Sequence, residues 1–141
     1  MTHTASVTSL HPHKAQKEYE QACEAVKNKK MPEAEKHLRK ATEIYPNYAA
    51  GWVMLGQILE TRQQSAGARE ACSRASGSDS NYLPAYLCSA EIAGREPRWH
   101  EVLNLTSHAL ELDPSNDAYA YFSVRSLISI LISCPKRKRE H

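Results

Sequence analysis

Small residues recur every 34 positions along this chain, in several columns at once, and few folds are compatible with that spacing. Ala22, Gly56 and Ala90 form one column, Ala34, Ala68 and Val102 a second, and Ala41, Ala75 and Ala109 a third. Pro46, Ser80 and Pro114 form a fourth, followed in turn by Asn47, Asn81 and Ser115. A shift of one residue destroys all the columns together, so their agreement marks a repeated structural unit. Gly56 shows what the columns are for. It lies inside "GWVMLGQIL", residues 51–59, where Trp52, Leu55 and Leu59 fall at helical spacing. An interior glycine costs a helix about 1 kcal/mol relative to alanine. That cost is offset where another helix passes so close that side chains have no room.

Each unit holds two apolar-periodic stretches with a short polar break. The helices are predicted over 16–28 and 32–44, 50–62 and 66–76, and 84–94 and 98–111, separated by "NKKM", "RQQS" and "GREP". Pro32 and Pro84 stand at helix starts, and Pro46, Pro97 and Pro114 beyond helix ends, where a missing N–H is tolerated. No sustained alternation and no hairpin dipeptide signals a strand. The chain reads as a run of antiparallel helix pairs. The first column marks the crossing of the first helix over the second, the second column the answering surface, and the third the contact with the next unit. Leu38, Trp52, Leu55, Leu59, Tyr86 and Leu105 are the large residues expected beside those crossings.

The period and the columns resemble the tetratricopeptide repeat (TPR), a 34-residue helix–turn–helix unit with the pattern W-x2-L-G-x2-Y, then A-x3-F, then A, then P. The second unit carries Trp52, Leu55, Gly56, Leu59, Ala68, Cys72 and Ala75 at those places. The third carries Tyr86, Ala90, Ala93, Val102, Thr106, Ala109 and Pro114, and the first Ala22, Ala25, Ala34, Leu38, Ala41 and Pro46. Glu18 and Gln21 depart from the usual large apolar residues, as suits an N-terminal repeat whose outer face meets water. The resemblance implies an all-α fold, an α-solenoid of antiparallel helix pairs wound as a TPR-like right-handed superhelix. The expected organisation is a disordered leader over 1–14, repeats over 15–48, 49–82 and 83–116, a capping or truncated-repeat helix over 117–134, and a basic tail over 135–141.

The 141 residues, 41% apolar and 24% charged, suffice for one domain with a real core. The net charge of +2 comes from the tail, and without 135–141 the body stands at −1. The body therefore has no electrostatic reason to seek nucleic acid or an anionic membrane. "PKRKR" resembles a nuclear-import signal but reads as a solvated basic tail, so the expected location is cytoplasmic, with the nucleus as the alternative. Cys23, Cys72, Cys88 and Cys134 form no CxxC pair and are read as buried free thiols in a reducing compartment. The segment after Asp117 is unusually apolar and admits three readings: a cap with an exposed patch, the altered end of a longer array, or a membrane tail. The last is disfavoured because 118–134 is short and interrupted by Arg125.

Nothing in the sequence supports catalysis, a cofactor or a metal. There is no phosphate cradle and no HExxH. His100 and Glu101 are adjacent and so point apart on a helix, and His37, His100 and His108 are expected on solvated faces. The expected function is that of a non-catalytic protein-protein interaction scaffold. The resemblance implies a groove, lined by the first helix of each pair, that binds a peptide or helix. The family's contact positions carry over to Tyr19, Cys23 and Val26, then Val53, Met54, Gln57 and Glu60, then Leu87, Cys88 and Glu91, with Ala50 and Arg95 beside them. Glu60 or Glu91 would favour a basic neighbour. One subset of the family grips chaperone C-termini with lysine, asparagine and arginine, but here the matching places hold Tyr19, Cys23, Met54, Pro84 and Cys88. No chaperone-clamp role is therefore expected. The alternative is a self-associating segment of a longer array, docking through Leu127, Ile128, Ile130 and Leu131.

Overall fold

Six helices follow one another: α1 His3–Lys27, α2 Met31–Ile44, α3 Ala49–Thr61, α4 Ser65–Ser78, α5 Leu83–Arg95 and α6 Trp99–Leu112. This computed structural model describes residues 3–117 with 120, 121, 124, 125, 128, 130 and 131, and side chains from residue 12 onward. Among the described residues there is no strand. Helices α1 and α2, α3 and α4, and α5 and α6 pack as pairs, and each pair leans on the next through α2 with α3 and α4 with α5.

The main chain closes the turns. Inside each pair, the N–H groups of Lys30, Gln64 and Arg98 donate to the carbonyls of Ala25, Leu59 and Ala93. These bonds span five residues, as in a Schellman closure. Lys29 and Gln63 supply the left-handed residue that this closure requires, at φ 60° and 63°. Between pairs, the N–H groups of Tyr48, Tyr82 and Asn116 donate to the carbonyls of Tyr45, Asp79 and Asp113. No side-chain cap supports the starts of α2 to α6. Trp52 and Tyr86 then tie their helices to the preceding turn, donating to the carbonyls of Pro46 and Ser80, each at 2.7 Å.

The columns are the core. Ala22, Ala34, Leu38, Ala41, Ala68, Cys72, Ala75, Ala90, Val102, Thr106 and Ala109 have no accessible surface at all. A Cβ on Gly56 would stand 3.3 Å from the Ala68 carbonyl oxygen, so α3 crosses α4 there with no room for a methyl group. Leu38, Leu55 and Leu59 fill the interior, while Trp52, Tyr86 and Leu105 cover it from a half-buried rim.

Three expectations need correction. Cys72 and Cys88 are not free thiols: they form a disulfide with a Cα–Cα distance of 5.7 Å, because α4 and α5 both turn these residues toward Gly56. Among the described residues only Cys23 stays free, and Cys134 lies outside them. His37 is not on a solvated face. It lies 2.7 Å from Glu18, which also pairs with Lys40 and occupies the place that Trp52 and Tyr86 hold in the later units. An ion pair thus takes over there from an aromatic anchor. Finally, α1 is helical from His3 and continues through Pro12, where the sequence suggests a disordered leader. Ala15, fully buried, roots this extension in the core.

The described residues between 117 and 131 are helical. Tyr121, Val124, Ile128 and Leu131 are exposed along one helical face, and Ile130 is half-buried. Leu127 and the basic tail lie outside the described residues. No helix among the described residues is long and apolar enough to cross a membrane.

Candidate functional site

Helices α1, α3 and α5 are the first members of their pairs, and in a stack of this kind they line the concave side. Tyr19, Val26, Met54 and Tyr82 pack half-buried over one continuous core, with part of each ring or chain left facing outward. Leu87 and Cys23 are half-buried beside them, and Gln57 is exposed.

Two predicted groove residues do not belong to the surface. Val53 is only 6% accessible and sits in the core, because a step of one residue from Met54 turns a side chain by about 100°. Cys88, 3% accessible, is held by its disulfide to Cys72. Of the others, Tyr19, Val26 and Met54 pack against one core, and Gln57, Glu60 and Glu91 line one pocket between α3 and α5.

The face has two chemically distinct edges. Around the start of α3, the Tyr19 and Tyr48 rings lie 5.4 Å apart, and Tyr45 and Tyr48 5.8 Å apart. Burial pushes the Tyr19 hydroxyl above its ordinary range, and the neighbouring Cys23 and Tyr82 add to this. Tyr48 is raised for the same first reason, with Tyr19 and Cys23 next. Both phenols therefore stay neutral and can donate hydrogen bonds at any physiological pH. Sequence reasoning missed Tyr48 and Tyr82, although their 34-residue spacing was visible, because both stand in the turns that precede α3 and α5.

Along the helix ends lies a charged cluster. The Glu60 carboxylate, 14% accessible, pairs with Arg95 at 3.4 Å through Oε2, while its Oε1 is buried with no hydrogen-bond partner among the described residues. Burial raises the Glu91 carboxyl above the ordinary range; Arg95 pulls it back and the charge on Glu60 pushes it further up. Elsewhere, Glu35 joins α2 to α3 through Arg62, and Arg98 is held by Glu96 and Glu101. His108 lies against the Tyr86 ring at 4.9 Å. Among the described residues no group of three His, Cys, Asp or Glu is arranged to hold a metal.

No protein-family model matches the sequence, and no curated protein sequence matches it. Solved structures do match its shape. The first TPR domain of Spaghetti (RPAP3), bound to the HSP90 peptide SRMEEVD, superposes with a TM-score of 0.81 at 18% identity, covering 86% of this chain and 98% of that one. The Arabidopsis OM64 TPR domain gives 0.75 at 20% identity, over 82% and 96% of the two chains. The second TPR domain of human RPAP3, in complex with the HSP70 peptide SGPTIEEVD, gives 0.76 at 17% identity, over 82% and 98%. Stacked helix pairs, 34-residue columns and these superpositions agree: the chain has the tetratricopeptide-repeat fold.

Proposed function

We propose that the chain is a non-catalytic interaction scaffold that takes an extended peptide or a helix on the face of α1, α3 and α5. The observation that carries this is the half-buried stripe of Tyr19, Val26 and Met54, anchored in the core and open on one side. Proteins of the same fold were solved with peptides bound, which supports the reading. It is not a clamp for chaperone C-termini, since Tyr19, Cys23, Met54 and Pro84 offer a peptide carboxylate no cationic side chain. The test is selection from a displayed peptide library on the full chain. Fluorescence anisotropy of the recovered peptides then compares wild type with Met54→Glu, at a half-buried position on the edge of the core, with circular dichroism checking that the variant folds. A loss of about tenfold or more is expected from one desolvated carboxylate in an apolar contact. Unchanged affinity rejects the face.

A second reading, self-association, is favoured by the exposed Val124, Ile128 and Leu131. Light scattering before and after removal of residues 117–141 tests it, and a dimer that survives the truncation rejects it.

A further inference from the structure

Four of the chain's seven tyrosines gather where α1 meets the turns before α3 and α5. Tyr19 and Tyr48 lie 5.4 Å apart with their planes tilted by 46°, and Tyr45 and Tyr48 lie 5.8 Å apart, tilted by 40°. Tyr82 is close enough for its phenol to act electrostatically on those of Tyr19 and Tyr48. All four are half-buried, and Tyr19 and Tyr82 pack on the same core as Val26 and Met54. This tyrosine rim therefore continues the groove stripe. Tyr48 is supported from behind: a Cβ on the buried Gly51 would stand 3.3 Å from its Cδ2 atom, so the ring rests against the first turn of α3 in room that the glycine leaves. A ring placed before the ligand arrives costs little to order on binding.

The rim also has hydroxyls to spare. Tyr19 is hydrogen-bonded to the Cys23 thiol, but among the described residues the hydroxyls of Tyr45, Tyr48 and Tyr82 have no partner. The nearby Glu20 carboxylate is engaged by Gln16 at 3.2 Å. The main chain of the turns is closed on itself, with the N–H groups of Tyr48 and Tyr82 given to Tyr45 and Asp79. A bound chain thus meets phenol donors and tilted aromatic faces, with no strand edge to pair with. That discriminates among occupants. A strand needs an open edge. An α-helix satisfies its carbonyls internally and would leave the phenols unmatched. A polyproline II chain has no internal hydrogen bonds, so its carbonyls are open, and proline brings no N–H that needs an acceptor.

We infer that this rim receives a proline-rich segment in the polyproline II conformation, its pyrrolidine rings lying between the tilted tyrosines and its carbonyls accepting hydrogen bonds from Tyr48 and Tyr82. The inference rests on the groove reading above and adds the chemistry of the partner. Aromatic-lined grooves take such segments because the ligand is already extended and loses little freedom when it docks. The expected partner therefore carries prolines for the tyrosine rim and apolar residues for the stripe of Val26 and Met54.

The test is an NMR titration of the full ¹⁵N-labelled chain with end-blocked octaproline, set against an end-blocked glycine–serine peptide of equal length, which is uncharged and has no preformed conformation. Shifts are expected at the amides of Tyr19, Cys23, Tyr48 and Tyr82, with octaproline binding about tenfold more tightly than the flexible peptide. Tyr48→Phe and Tyr82→Phe keep the rings and remove only a hydroxyl. Each should weaken octaproline by roughly threefold to tenfold, the worth of one neutral hydrogen bond, with the melting temperature little changed. Equal binding of the two peptides, shifts confined to other residues, or unchanged octaproline affinity in both phenylalanine variants overturns the inference. Library peptides that need Met54 but carry no proline would also end it, while leaving the groove reading intact.

Discussion

Replacing Gly56 by alanine tests the packing argument most directly, because two opposed effects meet at one methyl group. Helix propensity favours alanine by about 1 kcal/mol. Against this, the new Cβ would stand 2.8 Å from Cys72 Sγ, 3.1 Å from Cys88 Sγ and 3.3 Å from the Ala68 carbonyl oxygen. Comfortable contact needs about 3.5–4.0 Å, so the first sulfur must retreat by roughly 0.7 Å or more. It cannot swing aside freely, since each sulfur is bonded to the other. Overpacking of this kind costs about 1–3 kcal/mol. The net expectation for Gly56→Ala is a loss of about 1 kcal/mol, within a range of roughly 0–2. Gly77 is the internal control. It lies in α4, and a methyl group added there would meet nothing within 4 Å, so Gly77→Ala gains about 0.5–1 kcal/mol. Urea unfolding midpoints of the two variants should therefore move in opposite directions at constant slope. Under reducing conditions the two thiols can rotate, and the penalty at Gly56 should shrink. Equal stabilisation by both substitutions would refute the close crossing of α3 over α4.

Other outcomes follow from the same structure. Reduction of the Cys72–Cys88 bridge, or Cys88→Ala, opens a loop of sequence separation 16 and should cost about 3 kcal/mol on the loop-entropy model, read as a lower Tm in calorimetry. Gln63→Gly should stabilise by up to about 1 kcal/mol in urea unfolding, because glycine takes the φ of 63° without the steric cost of a side chain. For Glu91→Gln the sign runs with pH. The folded carboxyl is raised above 4.5, so below that value both states hold the proton and the two proteins differ little. As pH climbs through the raised folded value, the wild type must hold a desolvated charge and loses stability. The variant should then have the higher Tm at pH 7, and a lower one there would show that the pairing with Arg95 outweighs burial.

Much of the fold was legible because close helix crossings force small residues into fixed places. Ala22, Gly56 and Ala90 could be read without coordinates, since only small side chains fit where backbones approach. The groove was legible only in outline. Met54 and Val53 differ by one step, and which of them faced the core depended on helix rotation that a pattern of mostly apolar residues in α3 does not fix. The disulfide was hidden for another reason. Cys72 and Cys88 lie on different pairs, and their meeting depends on how α4 leans on α5 above Gly56. Glu60 and Arg95 likewise belong to neighbouring units, and their pairing became visible only once α3 lay against α5. His37 was misplaced because its partner Glu18 looked like an outward-facing departure from the pattern.

The joints that rely on N–H and carbonyl groups, with no capping side chain, leave the letters written there almost free. Such hinges ask little of their side chains, while the few tight crossings hold the coil in shape. One silhouette can therefore be spelled in many ways, and a likeness in form above 0.7 coexists with fewer than one letter in four shared.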